Sequence, residues 1–251
     1  MAARREGGGS GGSGSEPTLV WERPEPPERP APSPLSRERI VRAAVELADA
    51  DGLEAVSLRK VAAALDAGPM RLYRYLSTKE ELIDLMADAV YGEMAGPLHA
   101  LEGDWRAVLR ALAHRVRDAV LRHEWFAELL GGRPHLGPEG LAYLERSLAA
   151  LHSAPGFEDL NRVMRAVEAV NAYVVGAVRR EVTERRAERV TGMSEEQWQR
   201  TVAPYLARLR ATGRYPTLAR VMDETAHLDF ARTFDAGLTV VLDGVAAGLR
   251  T

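Results

Sequence analysis

The sequence predicts an all-α protein, with an N-terminal three-helix helix-turn-helix domain followed by a larger helical domain. Three observations point there. Apolar residues recur at helical spacing from Ser36 onward, no strand of period two competes with them, and Gly or Pro interrupts the pattern at helix-length intervals. A chain of 251 residues, 46% hydrophobic and 27% charged, can bury a sizeable core.

Residues 1–34 read as a disordered tail, first Gly/Ser-rich and then rich in Pro, Glu and Arg. Gly7 to Ser15 resembles a flexible linker. Val20, Trp21 and Arg23 are the exceptions, suited to packing on the domain or to touching DNA, although an unstructured tail is the expectation. Residues 35–82 form the candidate DNA-binding domain. Ser36 caps a first helix with Ile40, Ala44, Leu47 and Ala48 on one face, ended by Asp51-Gly52. Leu58, Val61, Ala62 and Leu65 give the second helix its buried side, and Asp66 to Gly68 make a turn. Pro69 suits the first turn of a third helix. Ser77 with Glu80, or Thr78 with Glu81, forms a capping box opening a fourth helix through Leu82, Leu85, Met86, Ala89 and Val90.

Residues 83–251 read as further helices. They run over about 104–123, 125–130, up to about 152 after a loop at 131–138, 157–186, 194–211 and 230–249. No internal repeat or heptad array is present.

The segment Ser57 to Glu81 carries the chemistry. Its cations are Arg59, Lys60, Arg71, Arg74 and Lys79, against Asp66 alone, on a chain whose net charge is -3. At about 100° per residue, Pro69, Leu72, Tyr73 and Leu76 fall on one side of the third helix, and Met70, Arg71, Arg74 and Tyr75 on the other. A major groove admits a helix, and arginine bonds the O6 and N7 acceptors of guanine in bidentate fashion. Met70 can meet a thymine methyl group, and Tyr73 and Tyr75 suit phosphate oxygens. Lys79 sits in a helix's first turn, where backbone N–H groups already favour phosphate, and Ser57 and Arg59 hold the corresponding place on the second helix.

These residues resemble the DNA-binding domain of the TetR family of bacterial repressors. The match runs through the Ile40…Ala44…Leu47 helix, Gly52-Leu53, Ser57 to Ala62, Leu72-Tyr73-Arg74-Tyr75-Leu76 and Lys79-Glu80-Glu81-Leu82. The family often has Gly directly after the second helix, where this chain has Asp66-Ala67. More weakly, Trp105, Arg133-Pro134 and Phe234…Gly237-Leu238…Leu242-Asp243-Gly244 resemble a tetracycline-repressor-type C-terminal domain. That resemblance implies two late helices pairing with a second copy. The stripes Leu160, Val163, Val167, Val170, Val174, Val178 and Phe230, Phe234, Leu238, Val241, Val245, Leu249 are the candidate dimer interface. It also implies a small-molecule effector, with Trp105, His114, Arg117, Trp125, Phe126, Asn171 and Tyr173 as candidate lining. Tetracycline repressors place a metal-site histidine just before the Arg-Pro pair, and Ala127 to Gly132 holds none, so a magnesium-chelated tetracycline is not the expected effector.

The expected function is a homodimeric repressor, released by that effector from a near-palindromic double-stranded operator. Such a protein acts in the cytoplasm at the nucleoid, without cofactor, metal or membrane. No apolar run approaches the ~20 residues needed to span a bilayer, and no signal peptide is expected. The absence of cysteine excludes thiolate chemistry and fits a reducing cytosol. The bias to Ala, Arg, Gly and Pro over Lys suggests a GC-rich bacterial genome. Two other readings stand beside it. One is a regulator of the same fold without a small-molecule effector, controlled by a protein partner. The other is an α-helical enzyme acting on a phosphorylated substrate, which should offer a convergent acid, base or nucleophile set; none is found.

Overall fold

A computed structural model describes residues 19–26, 35–95, 104–224 and 229–249. The rest of the candidate tail, residues 1–18 and 27–34, lies outside the described residues. Among those described, every regular element is a helix. The head comprises α1 (Arg37–Asp51), a short 3-10 turn at Leu53–Ala55, α2 (Leu58–Ala64) and α3 (Pro69–Leu72). α4 (Lys79–Ala95) runs from the head into the second domain. That domain contains α5 (Trp105–Arg122), α6 (Phe126–Leu129), α7 (Pro138–His152), α8 (Leu160–Thr191), α9 (Glu195–Ala211), α10 (Pro216–Glu224) and α11 (Phe230–Ala247).

The helix starts follow the side chains at their N-caps. Ser36 Oγ accepts from the Arg39 N–H, Asp104 from Ala107 and Asp229 from Arg232. For α4 the Thr78 hydroxyl caps, accepting the Glu81 N–H at 3.2 Å, while the Glu81 carboxylate turns back to the Ser77 N–H at 2.6 Å. α7 has no side chain of its own at the cap. Asp88 of α4 supplies one from across the interface, its Oδ1 accepting the N–H groups of Glu139 at 3.0 Å and Gly140 at 3.1 Å. Gly137 makes room for it, since a Cβ there would stand 2.2 Å from that oxygen.

The core is continuous from the head into the second domain. Ile40, Ala44, Val61 and Leu72 are buried in the head, and Leu82, Met86 and Val90 carry the apolar row along α4. α8 then packs against both α5 and α11. The head is also tied to the second domain by polar contacts. His123 places Nδ1 2.8 Å from Asp49 Oδ1 and Nε2 3.1 Å from Glu93 Oε2, and the Trp125 indole donates to Asp49 at 2.7 Å.

Three expectations are corrected. Residues 19–26 are not free tail: Val20 is 3% exposed and the Trp21 ring packs edge-on to His135. α8 runs five residues beyond Arg186, because Arg186 and Arg189 pair across to Glu128 and Glu124 instead of marking a frayed end. It stops where Gly192 turns left-handed, at φ 64°. α10 was not anticipated. Its apolar residues Leu218, Val221 and Met222 share one face but remain half exposed, so their pattern is too short to announce a helix.

Candidate nucleic-acid interface

The turn between α2 and α3 sets how the head presents its side chains. Ser57 Oγ accepts the Lys60 N–H, starting α2, and Leu58, Val61 and Ala62 bury its inner side. At the far end the Ala67 N–H reaches Ala62 O at 2.9 Å and the Asp66 N–H reaches Ala63 O at 3.1 Å. That pair of hydrogen bonds is a Schellman ending, which needs a left-handed residue at Asp66. Asp66 provides it at φ 49°, so it does the work of the family's glycine.

Only four residues of α3 are α-helical. Beyond Leu72 the chain bonds partly in the i to i−3 manner, Arg74 N–H to Arg71 O at 3.4 Å and Tyr75 N–H to Leu72 O at 2.8 Å, before Leu76 N–H returns to Leu72 O at 3.1 Å. With about three residues per turn, positions three apart eclipse. Met70 and Tyr73 therefore share the outer side, 77% and 50% exposed, while Leu72, Tyr75 and Leu76 face in. The two tyrosines thus exchange the faces expected of them, and Pro69 is exposed as well. Tyr75 is removed as a phosphate anchor: it is buried, and its hydroxyl donates to the Leu35 carbonyl at the entry to α1.

Arg59, Arg71 and Arg74 are exposed, Ser57 and Lys79 half-buried. None of the four cations has an ion-pair partner among the described residues. In the second domain, by contrast, Arg106, Arg117, Arg122, Arg186 and Arg189 are each paired with a carboxylate. Two acidic residues follow Lys79: Glu80, whose carboxyl is held low by backbone and Thr78 hydrogen bonds and then by the Lys79 charge, and Glu81, which is turned toward Ser77 and pairs with Arg23. Burial pushes its carboxyl up, and the Ser77 N–H and Arg23 outweigh that and hold it below the usual range.

Residues 40–86 match the model of bacterial regulatory proteins of the tetR family, and residues 97–249 that of the tetracyclin repressor-like C-terminal domain. The chain belongs to the TetR family. It is accordingly a DNA-binding helix-turn-helix regulator of the repressor type. Among curated relatives, the HTH-type transcriptional repressor DrrR1 of Streptomyces coeruleorubidus is 37% identical, over 97% of this chain and 89% of its own length. The class A tetracycline repressor from transposon 1721 in Escherichia coli is 29% identical over 84% and 91%. Apo ActR from Streptomyces coelicolor superposes with a TM-score of 0.73 at 28% identity, over 87% of this chain and 98% of that one. The same protein has been solved in complex with actinorhodin (TM-score 0.72, 27% identity, 86% and 97% coverage).

In this TetR-family chain the candidate effector residues fall into separate groups. His114, Arg117 and Tyr173 converge on Phe234, but each is already occupied. His114 Nε2 is 2.8 Å from Asp235 Oδ1, Arg117 is bidentate on buried Glu181 at 2.8 Å, and the Tyr173 hydroxyl donates to the Phe234 carbonyl at 2.8 Å. Trp105 packs on Phe157, 5.4 Å between centroids. Asn171 is half-buried. Trp125 and Phe126 are buried, 1% and 0% exposed, the Trp125 indole donating to Asp49 and the Phe126 ring packing edge-on to Tyr91.

Sequence reasoning missed a second group. Tyr91 of α4 stacks on His135 at 5.4 Å and lies 5.7 Å from Tyr143 of α7. Both rings are half-buried, and burial pushes both phenol pKa values up, with Asp88 adding to the effect on Tyr91. The Tyr91 hydroxyl makes no hydrogen bond among the described residues. One signal was readable: Asp88 stands as a lone carboxylate in the apolar run Leu85 to Val90.

The dimer stripe is also corrected. Val163, Val167, Val170, Val174, Val178, Phe234 and Leu238 are buried within the chain, forming the seam between α8 and its neighbours, and Phe230, Val241, Val245 and Leu249 are half-buried. Leu160 alone of that set is exposed, at 61%. The outer face of the two helices is different: Met164, Ala172 and Gly176 on α8, and Ala236, Val240 and Gly244 on α11.

Proposed function

We propose that the chain is a homodimeric repressor whose two heads enter successive major grooves of a near-palindromic operator and are released by a small organic effector. The gathering of unpaired Arg59, Arg71, Arg74 and Lys79 around the exposed Met70 and Tyr73 carries this reading. Arg71 and Arg74 are the base-edge candidates, with Met70 beside them. Tyr73, Ser57, Arg59 and Lys79 are the phosphate contacts.

Pairing is supported by the outer face of α8 and α11. A Cβ added at Gly176 or Gly244 meets nothing within 4 Å, so nothing inside the chain asks for glycine there. Glycine in a helix interior costs about 1 kcal/mol relative to alanine, and close approach by a second copy is a reason to keep it. Val240, 72% exposed, stands in the same face. A second copy places two heads at the spacing of one helical turn of DNA, about 34–36 Å.

ActR's complex with actinorhodin supports an organic molecule as the class of effector. Tyr91 and Tyr143 are the candidates for receiving it, since their half-buried phenols can donate to a carbonyl oxygen. Arg71→Ala/Arg74→Ala tests the head. With two bidentate contacts gone, operator affinity in a gel shift at fixed salt should fall at least about thirtyfold, and undiminished binding would refute the assignment.

A further inference from the structure

Residues 19–26 lie across the junction of the two domains and touch both. The Trp21 ring meets His135, in the loop between α6 and α7, with centroids 5.7 Å apart. Two positions later, Arg23 Nη1 donates to Ser77 Oγ at 2.9 Å and the guanidinium pairs with Glu81. Arg23 thereby grips the entry to α4 on both sides of Lys79. Its Nη2 is the nitrogen that meets the Glu81 carboxylate, and its Nε is shut from water without a hydrogen bond, so Glu81 is what balances that charge. The start of α1 is held too: Arg37 donates from Nη2 to the Arg23 carbonyl at 3.1 Å, and from its backbone N–H to the Glu25 carboxylate.

His135 is itself tied to the effector domain's inner parts. Its Nε2 lies 3.2 Å from Asp88 Oδ1 and its ring stacks on Tyr91. One short segment therefore links the surroundings of Tyr91 to the first turns of α1 and α4. Two residues of chain span at most about 7 Å, so little slack separates Trp21 from Arg23. A shift of His135 that carries Trp21 is passed to the turn that presents Lys79.

We propose that Trp21 and Arg23 are positioning residues for DNA recognition, residues 19–26 strapping the reading head to the loop that carries His135. The proposal rests on the head described under Proposed function. Coupling of this kind requires an element that both sites bias, and α4 meets that requirement because Asp88 and Tyr91 lie on it together with Lys79.

The test uses the full chain and a duplex selected by it from a random pool. Binding is read by fluorescence anisotropy over a salt series, with thermal unfolding measured beside it. Trp21→Ala and Arg23→Ala should each weaken binding by about 3- to 30-fold. The double variant should bind no worse than the weaker single, because both act through one strap. Arg23→Lys should recover part of the loss, and the salt slope should stay unchanged, since Arg23 holds Glu81 and not phosphate. If Trp21→Ala unfolds the chain, Trp21→Leu takes its place in the same cycle. Wild-type affinity in the Trp21 variant, losses that multiply, or a shallower salt slope in Arg23→Ala would each overturn the strap while leaving the head intact. A pool that yields no bound duplex would overturn both.

Discussion

Single residues decide how the head is presented. Asp66 holds a left-handed backbone that aspartate tolerates and a β-branched residue does not. Asp66→Val should therefore lower stability by about 1–2 kcal/mol in urea denaturation, whereas Asp66→Gly should leave it unchanged or slightly raised. The family's preference for glycine at this point gave no warning of that, because one sequence does not reveal φ. A carboxylate at the junction carries a second expectation. Burial raises the Glu93 carboxyl, but hydrogen bonds from His123 and Arg122 outweigh it, leaving it below its ordinary 4.5. A depressed folded pKa means stability that is complete above the unfolded value and lost as pH falls through the folded one. Glu93→Gln should thus weaken the fold at neutral pH and flatten its decline below pH 4.5, as followed by denaturation at several pH values.

At the scale of elements, caps and seams do most of the work. α7 begins on a carboxylate borrowed from α4, an arrangement that no local pattern around Pro138 announces. Asp88→Ala strands two N–H groups and should cost about 1–3 kcal/mol in thermal or urea unfolding. Asp88→Asn keeps an acceptor and should cost less. The helices themselves were largely legible. The periodicity of α1, α2, α5 and α7 predicts their spans to within a few residues, since each has one apolar face and a recognisable start. α3 was legible in place but not in phase. Tyr75 turns inward to the Leu35 carbonyl, just ahead of α1, and that partner is 40 residues away in sequence.

At the scale of the whole molecule, the proposed homodimer needs a face through which copies meet. An apolar stripe reads the same whether it faces a neighbour in the chain or a neighbouring chain, so Val163 to Val178 suggested an interface and proved to be core. What remains outside is the small-residue face around Gly176, Val240 and Gly244. Val240→Glu should bury an unpaired charge between copies and cost about 3 kcal/mol or more, roughly a hundredfold in dimer affinity. Light scattering at micromolar concentration should then find monomer, with helical circular dichroism retained. An unchanged dimer would place the contact elsewhere.

By itself the sequence determined the all-α class, the helix-turn-helix head, the cationic residues it carries and the family. Each of these depends on local spacing or on a contiguous motif such as Leu72 to Leu82. Only the tertiary structure decided which tyrosine faces out, which valines are core, and that residues 19–26 belong to the fold. Those outcomes depend on partners distant along the chain (Leu35 for Tyr75, His135 for Trp21, α7 for Asp88), and a period carries no information about what stands opposite it.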